Sequence, residues 1–343
     1  MEPVIERLNE VWERGETAVL ASIIQVLGSA YRREGAKMLF EADGRQVGTL
    51  SAGCLEEDMR HRAEQVLSTG QPRIQVYDMA AEDDFTWGRG AGCNGVITVL
   101  VERVPAEAGP ARDYWQAMLD AYRRNEAVAG LRRLDERTGE TLGHLVVAGG
   151  AVSGTLGDAA LDARWTPRLT AFAAQTGRGQ AEREGGAWMV LDRVVPKDQL
   201  YIFGAGPDAE PLAALAARTG FAVTVVDHRP ARLNPSYFPD ARLVDCRPEH
   251  AAERLEIPAQ AFAVVMTHSF QHDRVWVSHL LGQRLRYLGV LGPRQRTERL
   301  LQSTVIPPHV KSPVGLAIGA DGPQEIAVSV MAELIQLRRT GRI

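Results

Sequence analysis

The chain has 343 residues, 45% hydrophobic and 24% charged, a composition typical of globular proteins with two or three domains. The net charge of −4 gives no basic surface for nucleic acid, and no apolar run approaches the roughly 20 residues that span a bilayer. The N-terminal sequence lacks the pattern of a signal peptide, and three cysteines are too few for a disulfide scaffold. We therefore expect a reduced, cytoplasmic protein that binds neither nucleic acid nor membranes.

The first of three predicted blocks, residues 1–104, mixes helices and strands. Helical and alternating apolar patterns predict elements at residues 5–14, 17–26, 37–50, 54–70, 73–77 and 95–102. Residues 5–14 are predicted to form a helix, residues 17–26 a strand and residues 37–50 a hairpin. Residues 54–70 are predicted to form a helix that begins near Cys54, and two strands follow at 73–77 and 95–102. This block is expected to be an α+β domain, and no internal repeat is evident along the chain.

The second block, residues 105–197, carries no recognisable chemical motif. Its predicted elements are a helix at 113–124, strands at 127–134, 141–148 and 187–195, and a weak helical pattern at 158–175. Pro167 is expected to break that last helix. The block is predicted to be an α+β segment.

Strands and helices alternate in the third block, residues 198–343. The predicted strands are 200–203, 222–227, 261–266 and 287–291, and a final helix covers 323–338. This alternation predicts a Rossmann-like parallel sheet with helices on both faces. The predicted fold class is therefore α/β, with an additional N-terminal α+β domain.

The segment Gly48–Glu56 places a cysteine at the predicted start of a helix. Ser51 and Gly53 belong to a small-residue turn, and Cys54 follows in the first helical turn. Unpaired backbone N–H groups and the helix dipole stabilise a thiolate there, which lowers the pKa of the thiol. Cys54 is therefore a candidate for chemistry or for contact with a soft metal centre. A buried structural cysteine is the alternative that the local sequence leaves open.

A glycine turn follows the first strand of the third block. Gly204 and Gly206 lie between a strand and a helix, and Asp227 ends the next strand, as in a dinucleotide-binding fingerprint. Asp227 is placed to accept a ribose hydroxyl. Pro211 belongs in the first helical turn and thus predicts that Asp208 is the N-cap. A carboxylate there would occupy the donors that a pyrophosphate needs, so tight NAD(P) binding is predicted to be handicapped.

Further polar segments follow the ends of later strands. His268 follows one strand, and Gly319 lies in a small-residue loop before the last helix. Arg294 and Arg296 open a helix after another strand and form a candidate anion site. These loops are expected to meet at the carboxyl edge of the sheet. The alternative is that hydroxyl groups beside His268 cap the next helix and that the two arginines are only solvated.

Ordered motifs occur in both outer blocks. They are Gly28–Met38, Gly48–Glu56, Gly92–Gly95, Phe203–Gly206, Val226–Pro230, Met266–His268 with Asp273, Gly289–Arg294 and Pro313–Gly319 leading to Glu325–Ala327. Together they resemble the XdhC/CoxI family, the accessory factors of xanthine dehydrogenase and related molybdenum hydroxylases. This chain has Ala52 where the family usually has glycine, and Asn94 where the family has the first glycine of Cys-Gly-Gly.

The resemblance implies a protein that binds the molybdenum cofactor, molybdopterin with its metal. Such a protein protects the cofactor while a cysteine desulfurase supplies its terminal sulfur, and it helps insert the cofactor into a xanthine dehydrogenase-type hydroxylase. The residues nominated for cofactor contact are Ser51, Gly53, Cys54, Cys93, Arg32, Arg33, Lys37, Gly204, Gly206, Asp227, His268, Arg294 and Gly319. Glycine turns would hold phosphate or pterin, and the basic side chains would neutralise anionic groups. Cys54, with Cys93, would lie near the molybdenum or its exchangeable sulfur.

Three functions stay open at this point. A cofactor carrier and insertion chaperone is favoured over an enzyme because no general acid–base pair emerges from the sequence. An NAD(P)-dependent oxidoreductase built on the Rossmann half is the second. A redox sensor that uses Cys54 and Cys93 is the third. A homodimer would suit a protein that shields a ligand.

Overall fold

The computed structural model describes residues 2–51, 53, 55–79, 95–175 and 179–341. The chain divides into two compact units, Met1–Pro196 and Lys197–Ile343. The N-terminal unit contains two antiparallel sheets, and the C-terminal unit contains one parallel sheet. The division into three domains, at residues 104 and 197, stays a prediction.

The N-terminal unit is built from ten strands and four helices within its described residues. The strands are β1 (Ala18–Gly28), β2 (Lys37–Glu41), β3 (Gln46–Gly48), β4 (Arg73–Asp78), β5 (Gly95–Val104), β6 (Val128–Asp135), β7 (Thr141–Ala148), β8 (Ala151–Thr155), β9 (Gly179–Glu184) and β10 (Ala187–Val194). The helices are α1 (Glu2–Glu13), α2 (Glu56–Thr69), α3 (Pro110–Arg123) and α4 (Ala159–Ala173). The first sheet has the order β3-β2-β1-β5-β4, and the second has the order β8-β7-β6-β10-β9.

The two halves of this unit share one topology. In each half the chain forms a helix, three strands, a second helix and two strands, and the sheet order is third, second, first, fifth and fourth. The prediction of no internal repeat was therefore wrong. The repeat escapes sequence inspection because the halves share elements and sheet order and have few identical residues.

One short stretch does keep its sequence in both halves. Gly48-Thr-Leu50 begins at the last residue of β3, and Gly154-Thr-Leu156 begins at the second-to-last residue of β8. Both glycines have positive φ, +93° at Gly48 and +88° at Gly154. A Cβ at either position would lie within 2.4 Å of a carbonyl oxygen in the neighbouring strand. Only glycine fits this crossing from strand to helix, so the same residue is found in both halves.

Helices cover the two sheets because each helix buries an apolar stripe. Helix α2 packs Met59, Ala63 and Val66 against β1, β2 and β5, and α4 packs around Trp165 on the second sheet. Helices α1 and α3 share a third core that contains residues of both sheets. These cores fix the loops at the ends of the strands.

The C-terminal unit is a six-stranded parallel sheet with helices on both faces. Its strands are β11 (Asp198–Phe203), β12 (Phe221–Asp227), β13 (Ala241–Asp245), β14 (Phe262–Val265), β15 (Tyr287–Val290) and β16 (Val310–Lys311). Its helices are α5 (Ala209–Arg218), α6 (Ala251–Arg254), α7 (Phe270–Leu281), α8 (Arg294–Leu301) and α9 (Gly322–Thr340). The order β13-β12-β11-β14-β15-β16 is that of a dinucleotide-binding fold, with its switch point between β11 and β14. The predicted fold class is confirmed.

Two departures from the predicted elements have physical causes. Strands β8, β9, β13 and β16 have no counterpart in the prediction, and all four lie at the edge of a sheet. An edge strand has one unpaired side, and β8, for instance, is exposed at all five residues, so it lacks an apolar pattern. Helix α4 continues through Pro167, contrary to the predicted break, because its buried residues on both sides of the proline hold it to the sheet.

Candidate functional site

The register of the first sheet gathers several predicted site segments at one end. Strand β1 ends at Gly28, which pairs with Gly95 at the start of β5. Strand β4 ends beside them, because Asp78 pairs with Val96. In the antiparallel strands beside β1, β2 begins and β3 ends toward this end as well. This end of the sheet therefore carries the loops after β1 and β3 and the residues that flank 80–94.

The segment between β3 and α2 is held by a carboxylate. Glu56 Oε1 accepts hydrogen bonds from Thr49 Oγ1 at 2.9 Å, Leu50 N at 3.3 Å and Ser51 N at 2.9 Å. Ser51 Oγ donates to Glu56 Oε2. Burial alone would raise the pKa of Glu56, but the hydrogen bonds from Ser51 and Thr49 outweigh it and hold the pKa below its usual range. Glu56 is thus an ionised anchor for this segment.

The Ser51 hydroxyl extends this network toward the helix. Its Oγ accepts the N–H of Gly53 and the N–H of Leu55, each at 3.1 Å. Gly53 has φ of +115°, a conformation that favours glycine. Helix α2 has no side-chain hydrogen bond at its N-cap, Leu55. Cys54 and Ala52 lie outside the described residues, as does Cys93.

The loop after β1 carries the predicted basic side chains. Arg33 is 63% exposed, donates through Nη1 to Gly28 O at 3.0 Å and lies 3.6 Å from a carboxylate oxygen of Glu34. Glu34 also accepts the N–H of Val26 at 3.0 Å. Arg32 is half-exposed. Both guanidinium groups lie on the loop that begins at the gathered end of the sheet, where they can pair with an anion.

Lys37 does not face this end, contrary to its prediction as a ligand contact. Its Nζ donates to Asp192 Oδ1 at 2.7 Å and to Ser22 Oγ at 3.1 Å, and both side chains of the ion pair are 1% exposed. Leu39, two residues along β2, packs with α1 and α3, whereas Met38 packs with α2. Strand alternation thus points Lys37 to the face of the sheet opposite α2. Burial lowers the pKa of Lys37.

In the C-terminal unit, the glycine turn after β11 is tightly enclosed. Gly204 has φ of +115°, and a Cβ there would lie 2.6 Å from Met266 O. A Cβ at Gly206 would lie 2.5 Å from Asp208 Oδ1, so this carboxylate covers the turn. Asp208 holds the predicted N-cap position of α5. Its carboxylate makes no capping hydrogen bond, so the expectation that it occupies the N–H donors of the helix was wrong. Its Oδ2 instead lies 2.6 Å from His268 Nε2.

Asp227 is already occupied by groups of its own chain. It accepts the N–H of Ala205 at 2.7 Å, the N–H of Arg229 at 2.9 Å and two guanidinium bonds from Arg229. Burial alone would raise the pKa of Asp227, but the bonds from Arg229 and Ala205 outweigh it and hold the pKa at about 2. A ribose hydroxyl would have to displace Arg229 to reach this carboxylate.

The other predicted residues lie at the same carboxyl edge, as expected. His268 has φ of +61° and is 62% exposed, and Ser269 caps α7 by accepting the N–H of His272. Arg294 pairs with Glu298 at 3.0 Å on the surface of α8. Gly319 lies in the loop before α9 with φ of +75°.

Arg296, the second arginine of the candidate anion site, is engaged inside the protein. Its Nη2 donates to the buried carboxylate of Asp273 at 2.6 Å, and Asp273 also accepts the N–H of Thr267. Only Arg294 of the two is therefore turned to the surface.

A cavity of about 240 Å³ lies at this edge beside Asp227. Its lining includes Arg229, Cys246 and the rings of His228 and His272, whose centroids are 4.6 Å apart. Sequence inspection did not single out Cys246, His228 or His272. The Cys246 thiol is buried, and burial raises its pKa. Across the described residues, no group of three or more His, Cys, Asp and Glu side chains is placed to hold a metal ion.

The C-terminal unit has the strand order and glycine turn of a Rossmann domain, and the chain matches known families accordingly. Residues 200–334 match the model of the XdhC Rossmann domain. Residues 11–78 match the model of the XdhC and CoxI family. The chain therefore belongs to the XdhC/CoxI family. None of the helices formed by the described residues is long and apolar enough to cross a membrane.

Relatives of similar length support the same assignment. The chain is 42% identical to a protein of Bacillus subtilis named as a probable xanthine dehydrogenase subunit, over 97% of this chain and 96% of the relative. It is 23% identical to a molybdenum cofactor insertion chaperone of Escherichia coli, over 94% and 84% of the two chains. A crystal structure described as a xanthine dehydrogenase of Bacillus halodurans superposes with a TM-score of 0.82 at 38% identity, over 98% of this chain and 96% of that one.

Proposed function

We propose that this protein binds the molybdenum cofactor, protects it while its terminal sulfur is installed, and helps insert it into a xanthine dehydrogenase-type hydroxylase. One observation carries the proposal: the first sheet gathers the Gly28–Ala36 loop, the Gly48–Leu55 segment and the flanks of residues 80–94 at one end. The printed names of two relatives, a cofactor insertion chaperone and a xanthine dehydrogenase subunit, support it.

The chemistry of this end fits such a cargo. Arg32 and Arg33 provide guanidinium groups for a phosphate. A Cβ added at Gly53 would meet no atom within 4 Å, so this glycine leaves space for a close approach. A thiolate at Cys54 is a soft ligand of the kind that a metal–sulfur centre accepts. Cys93 is two residues before Gly95 in the sequence. The roles of both cysteines are part of the proposal.

Two partners follow from this function. A cysteine desulfurase would supply the sulfur while the cofactor is held, and an apo-hydroxylase would receive the finished cofactor. A homodimer would increase the shielding of the bound cargo. Light scattering of the purified protein measures whether the dimer forms.

The insertion step is tested with purified components under anaerobic conditions. Cofactor-loaded protein is mixed with apo-xanthine dehydrogenase, and the gain of hydroxylase activity is followed. We expect the loaded chain to activate the enzyme, and, when carrier-bound and free cofactor are each exposed to air before the anaerobic mixing, we expect the bound cofactor to lose less activity to oxygen. Equal activation and equal oxygen loss with free cofactor would contradict a carrier.

The second candidate is an NAD(P)-dependent oxidoreductase. The dinucleotide-binding strand order and the cavity beside Asp227 favour it. The bonds of Asp227 to Arg229 and the position of Asp208 over Gly206 oppose it, because they occupy the ribose and pyrophosphate positions. Calorimetric titration with NADH and NADPH separates the two functions: tight binding with turnover, and no binding of molybdenum cofactor, would favour the oxidoreductase.

A further inference from the structure

We propose that a cavity between the end of β1 and the start of β9 binds the pterin ring of the molybdenum cofactor, with the carboxylate of Glu34 as the acceptor for the amino edge of the ring. This inference rests on the proposed function for the identity of the cargo. The proposed function assigns Arg32 and Arg33 to the phosphate and leaves the ring without a contact. Free pterin can test the cavity without the whole cofactor.

The cavity has about 330 Å³ and lies within the N-terminal unit. It is lined by the last residues of β1, by Glu34 of the following loop, by the C-terminal end of α4 and by the start of β9. Small-molecule sites have volumes of roughly 300–1,000 Å³, so this space is large enough for a fused ring. A second cavity of this unit, beside Arg45 and Arg60, has about 70 Å³ and is too small for such a ligand.

An irregularity in β1 shapes one wall of the cavity. The pairing of β1 with β5 shifts between Ile23 and Gln25, which marks a β-bulge. Bulges re-aim side chains and are over-represented next to active sites. Residues 24–27 all line the cavity, whereas a regular strand presents alternate residues to each side. The bulge therefore turns successive residues of β1 toward one space.

The position of Glu34 is fixed by its neighbours. Gly35 donates through its N–H to Ile23 O, and Ile23 donates through its N–H to Ala36 O, each at 2.9 Å. On the other side, a Cβ at Gly179, the first residue of β9, would lie 2.3 Å from Gly35 N. Strand β9 thus passes directly against the backbone of the loop. The loop is held between β1 and β9, so the cavity is formed before a ligand binds.

The carboxylate of Glu34 matches the amino edge of a pterin. That edge presents an amino group and a ring N–H side by side, and a carboxylate can accept from both at once. Glu34 Oε1 accepts the N–H of Val26 at 3.0 Å, which orients the group and leaves other lone pairs for a ligand. Its Oε2 lies 3.6 Å from Arg33 Nε, too far for a hydrogen bond. A ligand can therefore pair with Glu34 without displacing a close partner.

The remaining lining suits a flat, polar heterocycle. Ile24 and Phe172 are 1% and 3% exposed and supply apolar surface for a ring. Gln25, Gln175 and Gln180 supply amide groups, which both donate and accept hydrogen bonds. A pterin has both kinds of group on its rim, because its carbonyl oxygen and ring nitrogens accept and its N–H groups donate. The cavity thus offers partners for the edge and for the faces of the ring.

The cavity also lies close to the end of the sheet that carries the proposed site. Gln25 precedes Gly28, the last residue of β1, by three residues, which is about 10 Å of strand. Arg33 is adjacent to Glu34 in the same loop and is 63% exposed. A ring bound in the cavity is therefore near a guanidinium group that can pair with the phosphate of the same cofactor.

Glu34→Gln tests the carboxylate. The amide keeps the shape of the side chain and can still accept the N–H of Val26, but it has no charge and one oxygen fewer. Glu182→Gln is the matched control, since Glu182 lies on β9 and pairs with Arg168 of α4. Thermal unfolding shows whether each variant is folded.

Gln25→Leu tests an amide of the wall with little change in size. Its matched control is Gln75→Leu, because Gln75 lies on β4 and donates to Val76 O. We expect Gln25→Leu to weaken pterin binding about tenfold relative to Gln75→Leu. If Glu34→Gln does not fold, this pair of variants decides.

The probes are pterin and lumazine, which has an oxygen in place of the amino group of pterin. Each is titrated by calorimetry into the whole protein, purified without cofactor. We expect the wild type and Glu182→Gln to bind pterin about tenfold more tightly than lumazine, and Glu34→Gln to bind the two about equally. A loss of structure alone would weaken both rings and leave their ratio unchanged. After co-expression with the cofactor pathway, Glu34→Gln should retain about tenfold less cofactor than Glu182→Gln.

Pterin that does not bind the wild type, or that binds no more tightly than lumazine, would overturn the inference. An unchanged preference in Glu34→Gln would overturn it as well. So would tighter binding of guanosine than of pterin, since guanine carries the same amino edge. In each case a protein that still carries molybdenum cofactor would leave the proposed function standing. A protein that carries no cofactor but prefers pterin through Glu34 would refute the proposed function and keep the ring site.

Discussion

Lys37 in the first half of the N-terminal unit forms a buried ion pair with Asp192 in the second half, with 2.7 Å between Nζ and Oδ1. A reciprocal pair joins Arg132 of the second half to Glu102 of the first, and Arg132 also lies 3.5 Å from Asp192. Two positive and two negative side chains thus balance at the junction of the two sheets. Removing one of them leaves a buried charge without compensation.

Lys37→Met is therefore expected to destabilise the N-terminal unit by about 3–5 kcal/mol, because Asp192 stays buried without its partner. Urea unfolding measures the loss. Arg45→Met is the control, since Arg45 pairs with Asp43 on the surface and its loss should have little effect. A Lys37→Met protein as stable as the wild type would show that the four charges do not depend on one another.

The two halves of the N-terminal unit allow the cysteine to be moved. A chain with Cys54→Ala and Ala160→Cys carries its thiol at the equivalent helix start of the second half. We expect this chain to fold but not to regain cofactor binding, because the turn between β6 and β7 is short and has no counterpart of the loop with Arg32 and Arg33. Its thiol should also be alkylated more slowly than Cys54, since the Asp158 carboxylate caps that helix. Restored binding would show that the helix start alone is sufficient.

Asp227 should make the C-terminal unit sensitive to acid. The pKa of Asp227 is held at about 2 in the folded protein, below its value in an unfolded chain. A depressed pKa contributes stability above the unfolded value, and this contribution is lost as the pH falls from about 4 to about 2. Asp227→Asn should remove this part of the acid dependence, about 2 kcal/mol, as measured by urea unfolding at several pH values. Parallel stability curves for the two proteins below about pH 4 would contradict this assignment.

At Gly204, the turn after β11 passes close to the backbone that follows β14. Gly204→Ala introduces a Cβ 2.6 Å from Met266 O at φ of +115°, so backbone must shift. We expect a loss of about 2–3 kcal/mol in the stability of the C-terminal unit. Gly220→Ala is the control: φ is +85°, but no atom lies within 4 Å of the added Cβ, so the loss should be about 1 kcal/mol. Equal losses would show that the positive φ of the glycine, and not the close contact with Met266, determines the loss of stability.

Much of the fold follows from the sequence because central strands and amphipathic helices carry clear periodicity. The strands of the parallel sheet from β11 to β15, apart from the edge strand β13, were expected from their apolar runs, and the glycine turn was expected from its spacing. Edge strands such as β8 were missed because no face of theirs is buried. The repeat was missed because it is kept by topology and by a few positions, of which Gly48 and Gly154 are the clearest.

The candidate site was predictable to the extent that it depends on order along the chain. Which loops share an edge of the parallel sheet follows from topology, so the common position of Gly204, Asp227 and His268 was expected. Topology does not show which of these side chains are free to contact a ligand, because this depends on partners that are distant in sequence. Lys37 pairs with Asp192, 155 residues away, and His268 with Asp208, 60 residues away. Neither partner has a local signal that identifies it.

The most direct test is to measure the molybdenum and pterin bound to the purified protein after anaerobic co-expression with an active cofactor pathway. The wild type and Cys54→Ser are compared with Cys246→Ser, which alters a buried cysteine in the other unit. We predict that the wild type and Cys246→Ser carry molybdenum and pterin in equal amounts and that Cys54→Ser has lost both. A wild-type protein without cofactor, or Cys54→Ser that retains as much cofactor as the wild type, would contradict this account of the site.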